Sequence, residues 1–390
     1  MRVAVVGAGV VGAAVARAAA LRGAEVTVFE RGHPGVGTSG TTFGWVNAHN
    51  KEPESYFALN RAGMRAHAEL QRAEPSPQSW YFPDGNLEWA VDAGHVATLT
   101  ATIERLTGHG YPAEWIGRDR ARALAPDARI PDGAAIAWFG EEGLVSPAPL
   151  LARLLGEARD HGALILTGHE ARRVSAGEVG ATIDLADGGP AGGARQTFDT
   201  VVTCVGRWTG PLLAAGGVTV HMVDPHAPGA AAAYLGYTDP VPARLSCLLT
   251  TPRLNVRPDG AGRLIVQALD LDATADPARG PDPAVRSELE DRLCAVLDGA
   301  EHARVREVRV GQRALPADGY TAAGFVDASR RHYTIATHSG MTLCLHLADL
   351  AVTEILDGTD DPALLPFRPA RLAAIPAAPA PPPARHPGEQ

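Results

Sequence analysis

The sequence is almost without lysine: Lys51 is the only one in 390 residues, and the remaining basic residues are arginine. Against 44 acidic side chains this leaves a net charge of −9. Such an acidic chain is a poor general binder of nucleic acid or of an anionic membrane, and no nucleic-acid partner is expected. The arginine bias, with the surplus of alanine and glycine, reads as genome composition and not as function. Cysteine is scarce as well. Cys204, Cys247, Cys294 and Cys344 stand far apart, with no CxxC and no Cys/His cluster. That argues against a disulfide scaffold and against a zinc site of standard spacing, so no metal is expected. Reduced thiols fit a cytoplasmic setting best. No stretch reaches the ~18 uncharged apolar residues of a membrane span. The apolar N-terminal run carries Gly7, Gly9 and Gly12 and is broken by Arg17 and Arg22, which suits a strand and helix better than a leader. There is no internal repeat. Residues 376–390 are rich in proline and alanine and are expected to be a disordered tail.

The hydrophobic content of 45% is ordinary for a globular enzyme, and the length suits two to three domains' worth of chain or two interleaved domains. Val3-Ala4-Val5-Val6 reads as a buried strand, and Gly7-Ala8-Gly9-Val10-Val11-Gly12 then opens a helix to Leu21. Gly23 ends that helix, and residues 25–29 return as a strand with Glu30 at its end. This is GxGxxG between strand and helix, followed at a distance by an acid. Gly7 makes the tight turn, Gly9 lets backbone approach a pyrophosphate, and Gly12 lets helix and strand pack. The first helical residues, Val10 and Val11, offer N–H groups to a phosphate. Glu30 accepts ribose hydroxyls and disfavours a 2′-phosphate, so NADP is not expected. Arg31 and the loop after it, with Thr38, Ser39 and Thr42, form a Gly/Ser/Thr-rich stretch that wraps a ligand with hydroxyl and backbone donors. A simple NAD domain usually continues into a helix and a third strand. At the other end, residues 333–336 read as a strand, Ser339-Gly340 as a turn and 341–356 as a helix with Gly358 past its end. Such a unit aims the bare N–H groups near Gly340, Met341 and Thr342 at whatever lies above the turn.

Four segments in this order resemble the D-amino acid oxidase family of FAD-dependent amine oxidoreductases, which includes glycine oxidase and sarcosine oxidase. They are Gly7 to Glu30, Gly37-Thr38-Ser39-Gly40, Thr200 to Trp208, and Gly311 to Gly319 together with Tyr333 to Leu343. The resemblance spans most of residues 1–372. It implies an α/β fold: a Rossmann-type FAD-binding domain interleaved with a substrate domain on a mostly antiparallel sheet. The FAD-binding domain would take residues 1–80, 145–218 and 310–372, and the substrate domain 81–144 and 219–309. It implies that the Thr38-Ser39 loop lines the flavin and that Val174 meets the adenine through its backbone. Cys204, Gly206 and Trp208 would form a second cofactor-side turn, and His338, Ser339 and Gly340 would face the N1/O2 edge of the ring. Some relatives tie the flavin to a cysteine near the segment of Arg313; none stands here, so non-covalent FAD is expected. In the middle of the chain, helices are expected at 55–72, 95–108, 149–161 and 283–297. Strands are expected at 163–166, 172–175, 181–186, 221–223, 232–235, 247–251, 264–267 and 305–310.

Arg313 is the sharpest chemical candidate. In the family an arginine of a Gly-x-Arg-Pro segment clamps the substrate carboxylate; here the segment is Gly311-Gln312-Arg313-Ala314-Leu315-Pro316, without the adjacent proline. A guanidinium fork matches a carboxylate; the alternative is a surface ion pair. Arg257 is a second candidate, with a solvated strand-end arginine the stronger reading. Trp45 and Asn47 either cover the ring and bond its edge, or serve as core and turn. His338 either orients the amine or packs. Sarcosine-type relatives place a lysine over the flavin, but the corresponding stretch 262–267 has none and only Lys51 remains. Paired tyrosines over the substrate are not evident, Tyr234 and Tyr237 being weak candidates. The expected reaction is oxidation of a C–N bond of a small amino acid or secondary amine to an imine by hydride transfer to flavin N5, with oxygen or an unknown acceptor taking the electrons. The alternatives are a dehydrogenase passing electrons to a quinone or carrier, a tailoring oxidase of a larger amine, a non-catalytic flavoprotein subunit, and a nicotinamide dehydrogenase.

Overall fold

The computed structural model describes residues 1–73, 79–187 and 193–375; the tail expected at 376–390 lies outside the described residues. The first strand, β1 (Arg2–Val6), is buried over four consecutive residues. Its period of two sends Val3 and Val5 to one face and Ala4 and Val6 to the other. Val3 and Val5 pack with α1 (Val10–Leu21), an alanine- and valine-rich helix. Ala4 and Val6 pack with Val174, Ile183 and Phe198 of a three-stranded antiparallel sheet, Ala171–Ala176, Ala181–Leu185 and Arg195–Phe198. Both faces are therefore covered, as a parallel sheet requires.

Around β1 runs a six-stranded sheet. On one side lie the parallel strand β2 (Glu25–Glu30) and then Leu164–Thr167. On the other lie Thr200–Thr203 and His332–Ala336, also parallel, with Ala322–Phe325 antiparallel at the edge. The helices Pro147–Asp160 and Gly340–Asp357 pack on α1, and α2 (Glu54–Ala73) packs on Gly340–Asp357. That last contact is close: a methyl group added at Gly63 would stand 2.4 Å from the Thr342 carbonyl oxygen.

A second sheet has eight strands in the order Val305–Gln312, Ala232–Thr238, Leu264–Gln267, Asn255–Pro258, Leu248–Thr250, Asn86–Ala90, Ala135–Phe139 and Ala113–Trp115. Every pairing in it is antiparallel except Leu248–Thr250 with Asn86–Ala90. Its core is separate from that of the first sheet.

The structure adds several short elements to those expected from the sequence, and three of the differences bear on the second sheet and its junction with the first. No strand forms at 221–223; Met222 makes a single bridge to Pro316, and Pro225 and Pro228 just beyond lack the N–H a longer ladder needs. A strand that was not expected, Asn255–Pro258, sits mid-sheet because both its neighbours bury its polar residues. The expected switch between domains at residue 310 cuts through Val305–Gln312, which pairs along its whole length with Ala232–Thr238.

Candidate active site

β1 ends at Val6, and the chain must turn at once to enter α1. Gly7 makes that turn at φ +100°, donating its N–H to the Phe29 carbonyl at 2.8 Å. Gly12 faces the turn from the helix, where a Cβ would be 1.9 Å from the Gly7 oxygen. Gly9 differs: a Cβ there would meet only the Ser39 hydroxyl, at 3.1 Å. The space above Gly9 belongs to a cleft of about 310 Å³.

Both ends of the chain line this cleft. From the front come Gly7, Gly9, Val10, Val11, Glu30, Arg31, Thr38, Ser39 and Thr42; from the middle Cys204, Gly206 and Trp208; from the back His338, Gly340 and Met341. A Cβ at Gly340 would lie 3.6 Å from the Val11 side chain, so the two helix starts are neighbours. Neither α1 nor Gly340–Asp357 has an acidic residue in its first turn. Two positive helix ends thus meet at one cleft with no carboxylate of their own to neutralise them. Ser39 Oγ accepts the Val10 N–H at 3.1 Å, and Thr38 Oγ1 donates to the Gln312 carbonyl at 2.6 Å. Glu30 is tied at the end of β2, accepting from Ala8 N–H and Gly32 N–H, each at 2.9 Å. The guanidinium groups of Arg31 and Arg207 lie 3.7 and 3.8 Å from the Trp208 ring centroid. Burial, and then Arg31, lower the Arg207 guanidinium to about 10.

Four expected cofactor residues stand elsewhere. Gly12 packs beneath the turn. Ser339 and Thr342 line an adjoining cavity. Val174 does not face the cleft at all: its side chain is in the core beneath the sheet, and Ala171 and Arg172, earlier in the same strand, line the cleft with His169 and Glu170. The clue in the sequence was the strand start, since ligands gather at strand ends and not at their middles.

The adjoining cavity, about 120 Å³, shares Thr38, Thr42, His338 and Met341 with the cleft. Trp45, Asn47, Lys51, Asn255, Gln267 and Arg313 also line it. Arg313 Nη1 donates to the carbonyls of Gly229 and Ala230 at 3.1 and 3.0 Å, and Nη2 reaches Asp272 Oδ2 at 3.5 Å. Asp272 is held in turn by the Tyr234 N–H at 2.8 Å and by Gln267 Nε2 at 3.0 Å. Burial pushes its carboxyl up to about 6, with Arg313 pulling the other way. Burial, then Lys51 and Arg313, push His338 well below the usual imidazole range, so it is neutral. Asn47 Oδ1 and Asn255 Oδ1 are buried on this cavity without a hydrogen-bond partner.

Arg257 is not on the cavity. It is buried, against the expectation of a solvated residue, with Asp259 at 3.3 Å and the Pro258 carbonyl at 3.0 Å. Tyr234 donates to the Thr274 carbonyl at 2.8 Å and Tyr237 lies under Arg309, and neither lines the cavity. Sequence reasoning missed Lys51, Asn255 and Gln267 as wall residues, because three separate segments bring them together. Among the described residues no cluster of potential metal ligands occurs, and no helix is long and apolar enough to cross a membrane.

The residues present fit a dinucleotide flavin. The cleft has an open floor at Gly9, an acid at the ribose position, two helix starts and a run of hydroxyls. Residues 2–353 match the family model described as DAO, FAD dependent oxidoreductase. Curated protein sequences yield no match. Among solved structures, glycine oxidase from Geobacillus kaustophilus superposes with a TM-score of 0.81 at 22% identity, over 94% of this chain and 98% of that one. L-Proline dehydrogenase from P. horikoshii gives 0.80 at 17%, over 96% and 98%. Iminodiacetate oxidase from Chelativorans sp. BNC1 gives 0.78 at 20%, over 94% and 99%. At these identities the likeness is one of fold, whereas the family match runs through the cleft, the second sheet and most of the final long helix. The chain belongs to the DAO family of FAD-dependent oxidoreductases.

Proposed function

We propose that this chain oxidises the C–N bond of a small amino acid or secondary amine to an imine, with FAD held non-covalently in the larger cleft. One observation carries the reading: the cavity joined to the cleft offers a guanidinium, Arg313, an amine, Lys51, and two unpartnered amide oxygens, Asn47 Oδ1 and Asn255 Oδ1. Cations suit a carboxylate and carbonyl oxygens suit an N–H, so the wall matches both ends of an amino acid. FAD, when bound, supplies the two-electron acceptor for the substrate's α C–H bond. The chain's own part is positioning. Arg313, fixed from behind by Asp272, Gly229 and Ala230, anchors the carboxylate. Neutral His338 adds no charge beside the reacting carbon. The helix start at Gly340 contributes a positive potential at the shared wall. The thiol that lines the larger cleft, Cys204, is buried, and burial pushes it up and so keeps it protonated; a poor nucleophile there supports a cofactor held without a covalent bond. Names of the fold neighbours, a glycine oxidase, an L-proline dehydrogenase and an iminodiacetate oxidase, lie in the same range of substrates.

The test is an anaerobic screen of amino acids, N-methyl amino acids and cyclic imino acids, following loss of the flavin absorbance. At least one should bleach the flavin, and Arg313→Met should lower kcat/KM for it about 10²-fold, the worth of roughly 3 kcal/mol of charged hydrogen bonding. Reoxidation by air or only by a quinone dye then separates oxidase from dehydrogenase. A flavin that no member of the panel reduces overturns the reading.

A further inference from the structure

Lys51, the sole lysine of the sequence, sits in the stretch between Val46 and α2. It is 5% exposed, yet it lines the smaller cavity with Arg313 and His338. A cation in so dry a place is costly unless something offsets it. Glu142, in the turn between Ala135–Phe139 and Gly143–Val145, supplies the opposing charge. That carboxylate is fully buried, accepts from Trp45 Nε1 at 2.8 Å and from the Tyr111 hydroxyl at 3.3 Å, and pairs with His49 Nδ1 at 2.5 Å. Glu142, His49 and Tyr111 do not line the cavity, whereas Lys51 does. Beyond them, Arg105 donates to the His49 carbonyl and pairs with Glu52 at 3.1 Å.

Only three titratable side chains among the described residues line the cavity: Lys51, His338 and Arg313. An amino acid arrives from water with its nitrogen protonated, and an ammonium has no lone pair with which to form a C=N bond. That proton has to leave before the C=N bond forms, and a basic group on the wall lets the abundant protonated form of the substrate react. Arg313 holds its own proton at any working pH, and its guanidinium is engaged with Gly229, Ala230 and Asp272. His338 is too weak a base, burial above all and Arg313 beside it holding it well below the usual imidazole range. Lys51 remains. We propose that the Lys51 amine is the base that deprotonates the substrate's ammonium group. In this step a substrate N–H bond breaks, an Nζ–H bond forms, and the positive charge moves from substrate to Lys51. The nitrogen keeps its electron pair for the C=N bond of the product. The assignment rests on the amine-oxidation reading above. Burial lowers the Lys51 ammonium to about 8, Glu142 acting in the opposite direction, and a base poised near working pH is the effective kind.

A chain with one lysine allows a direct test. Holoenzyme grown on lysine labelled with ¹³C at Cε gives one lysine resonance, and its titration should have a midpoint near 8; a midpoint near 10.5 overturns the assignment. This readout needs neither substrate nor variant. With an amine that bleaches the wild-type flavin, the anaerobic reduction rate at low substrate should climb with pH through the same midpoint. Lys51→Met should lose that limb and slow reduction 10²- to 10³-fold, within the span usual for a general base. Lys51→Arg, which keeps the charge but cannot give up its proton, should fail likewise. Recovery of reduction in Lys51→Arg, or a Lys51→Met that reduces normally and only reoxidises slowly, refutes a proton-accepting role. If no amine reduces the wild type, the amine-oxidation reading fails and this assignment falls with it. If amines reduce wild type and Lys51→Met with the same pH profile, only this assignment fails.

Discussion

A methyl group at position 12 would stand inside the first turn, 1.9 Å from the Gly7 carbonyl oxygen, whereas one at position 9 would touch only the Ser39 hydroxyl. The two glycines of one motif therefore answer to different constraints. Gly12→Ala should destabilise the fold by several kcal/mol, because backbone has to move. Gly9→Ala should leave the melting temperature of the cofactor-free protein nearly unchanged and abolish flavin binding. Thermal melts and the flavin-to-protein absorbance ratio separate the two, and a yellow Gly9→Ala protein would contradict the position given to the cofactor. The spacing of these glycines and of Glu30 was readable from the sequence because the motif is local. Lys51, Asn255 and Ala171 were not, since each owes its place to the closing of distant segments. Arg257 illustrates the converse. Its type invited a role, but its neighbours Asp259 and Pro258 hold it away from the cavity.

Between α2 and the helix Gly340–Asp357 the spacing is set by Gly63, whose hydrogen faces the Thr342 carbonyl. Two turns before Gly63, the Tyr56 hydroxyl meets Ser339 Oγ at 3.0 Å, so the same helix pair fixes the turn that enters the cleft. Gly63→Ala should push the helices apart, at a cost of about 1–3 kcal/mol for overpacking. Because the Ser339-Gly340 turn moves with them, flavin affinity should fall along with the melting temperature. A flavin titration that stays at the wild-type value while the melting temperature drops would uncouple the two effects. Both helices were legible from their 3.6-residue apolar period. Their close contact was not, because a lone glycine within a helical stretch looks like a weakness until the partner is seen. At Asn255–Pro258 the sequence suggested a strand end with its arginine in solvent, and only the strands on either side show that the segment is buried mid-sheet.

Across the whole molecule, the cleft draws on segments from both ends of the chain and from its middle. Adding FAD to the cofactor-free protein should slow amide exchange together at 7–12, 30–42 and 335–342, all of which contribute to the wall. The helices Ala93–Gly108 and Pro283–Val296, which do not line it, should be unaffected. Protection confined to the N-terminal peptides would mean that the two ends do not share one ligand. The parallel sheet followed from the order of the motifs. The middle was less legible because the eight-stranded sheet is built from pairings between remote segments, such as Leu248–Thr250 beside Asn86–Ala90.

The order of strands in the six-stranded sheet also sets a timetable for the ribosome. β1 acquires its inner neighbour only when Thr200–Thr203 has been made, and that strand acquires its own when His332–Ala336 follows. The helix start at Gly340 comes later still. A nascent chain interrupted anywhere before that point has a nucleotide grip without its opposite jaw, and an apolar strand without cover. Truncated products of this gene are therefore candidates for proteolysis, not for partial activity.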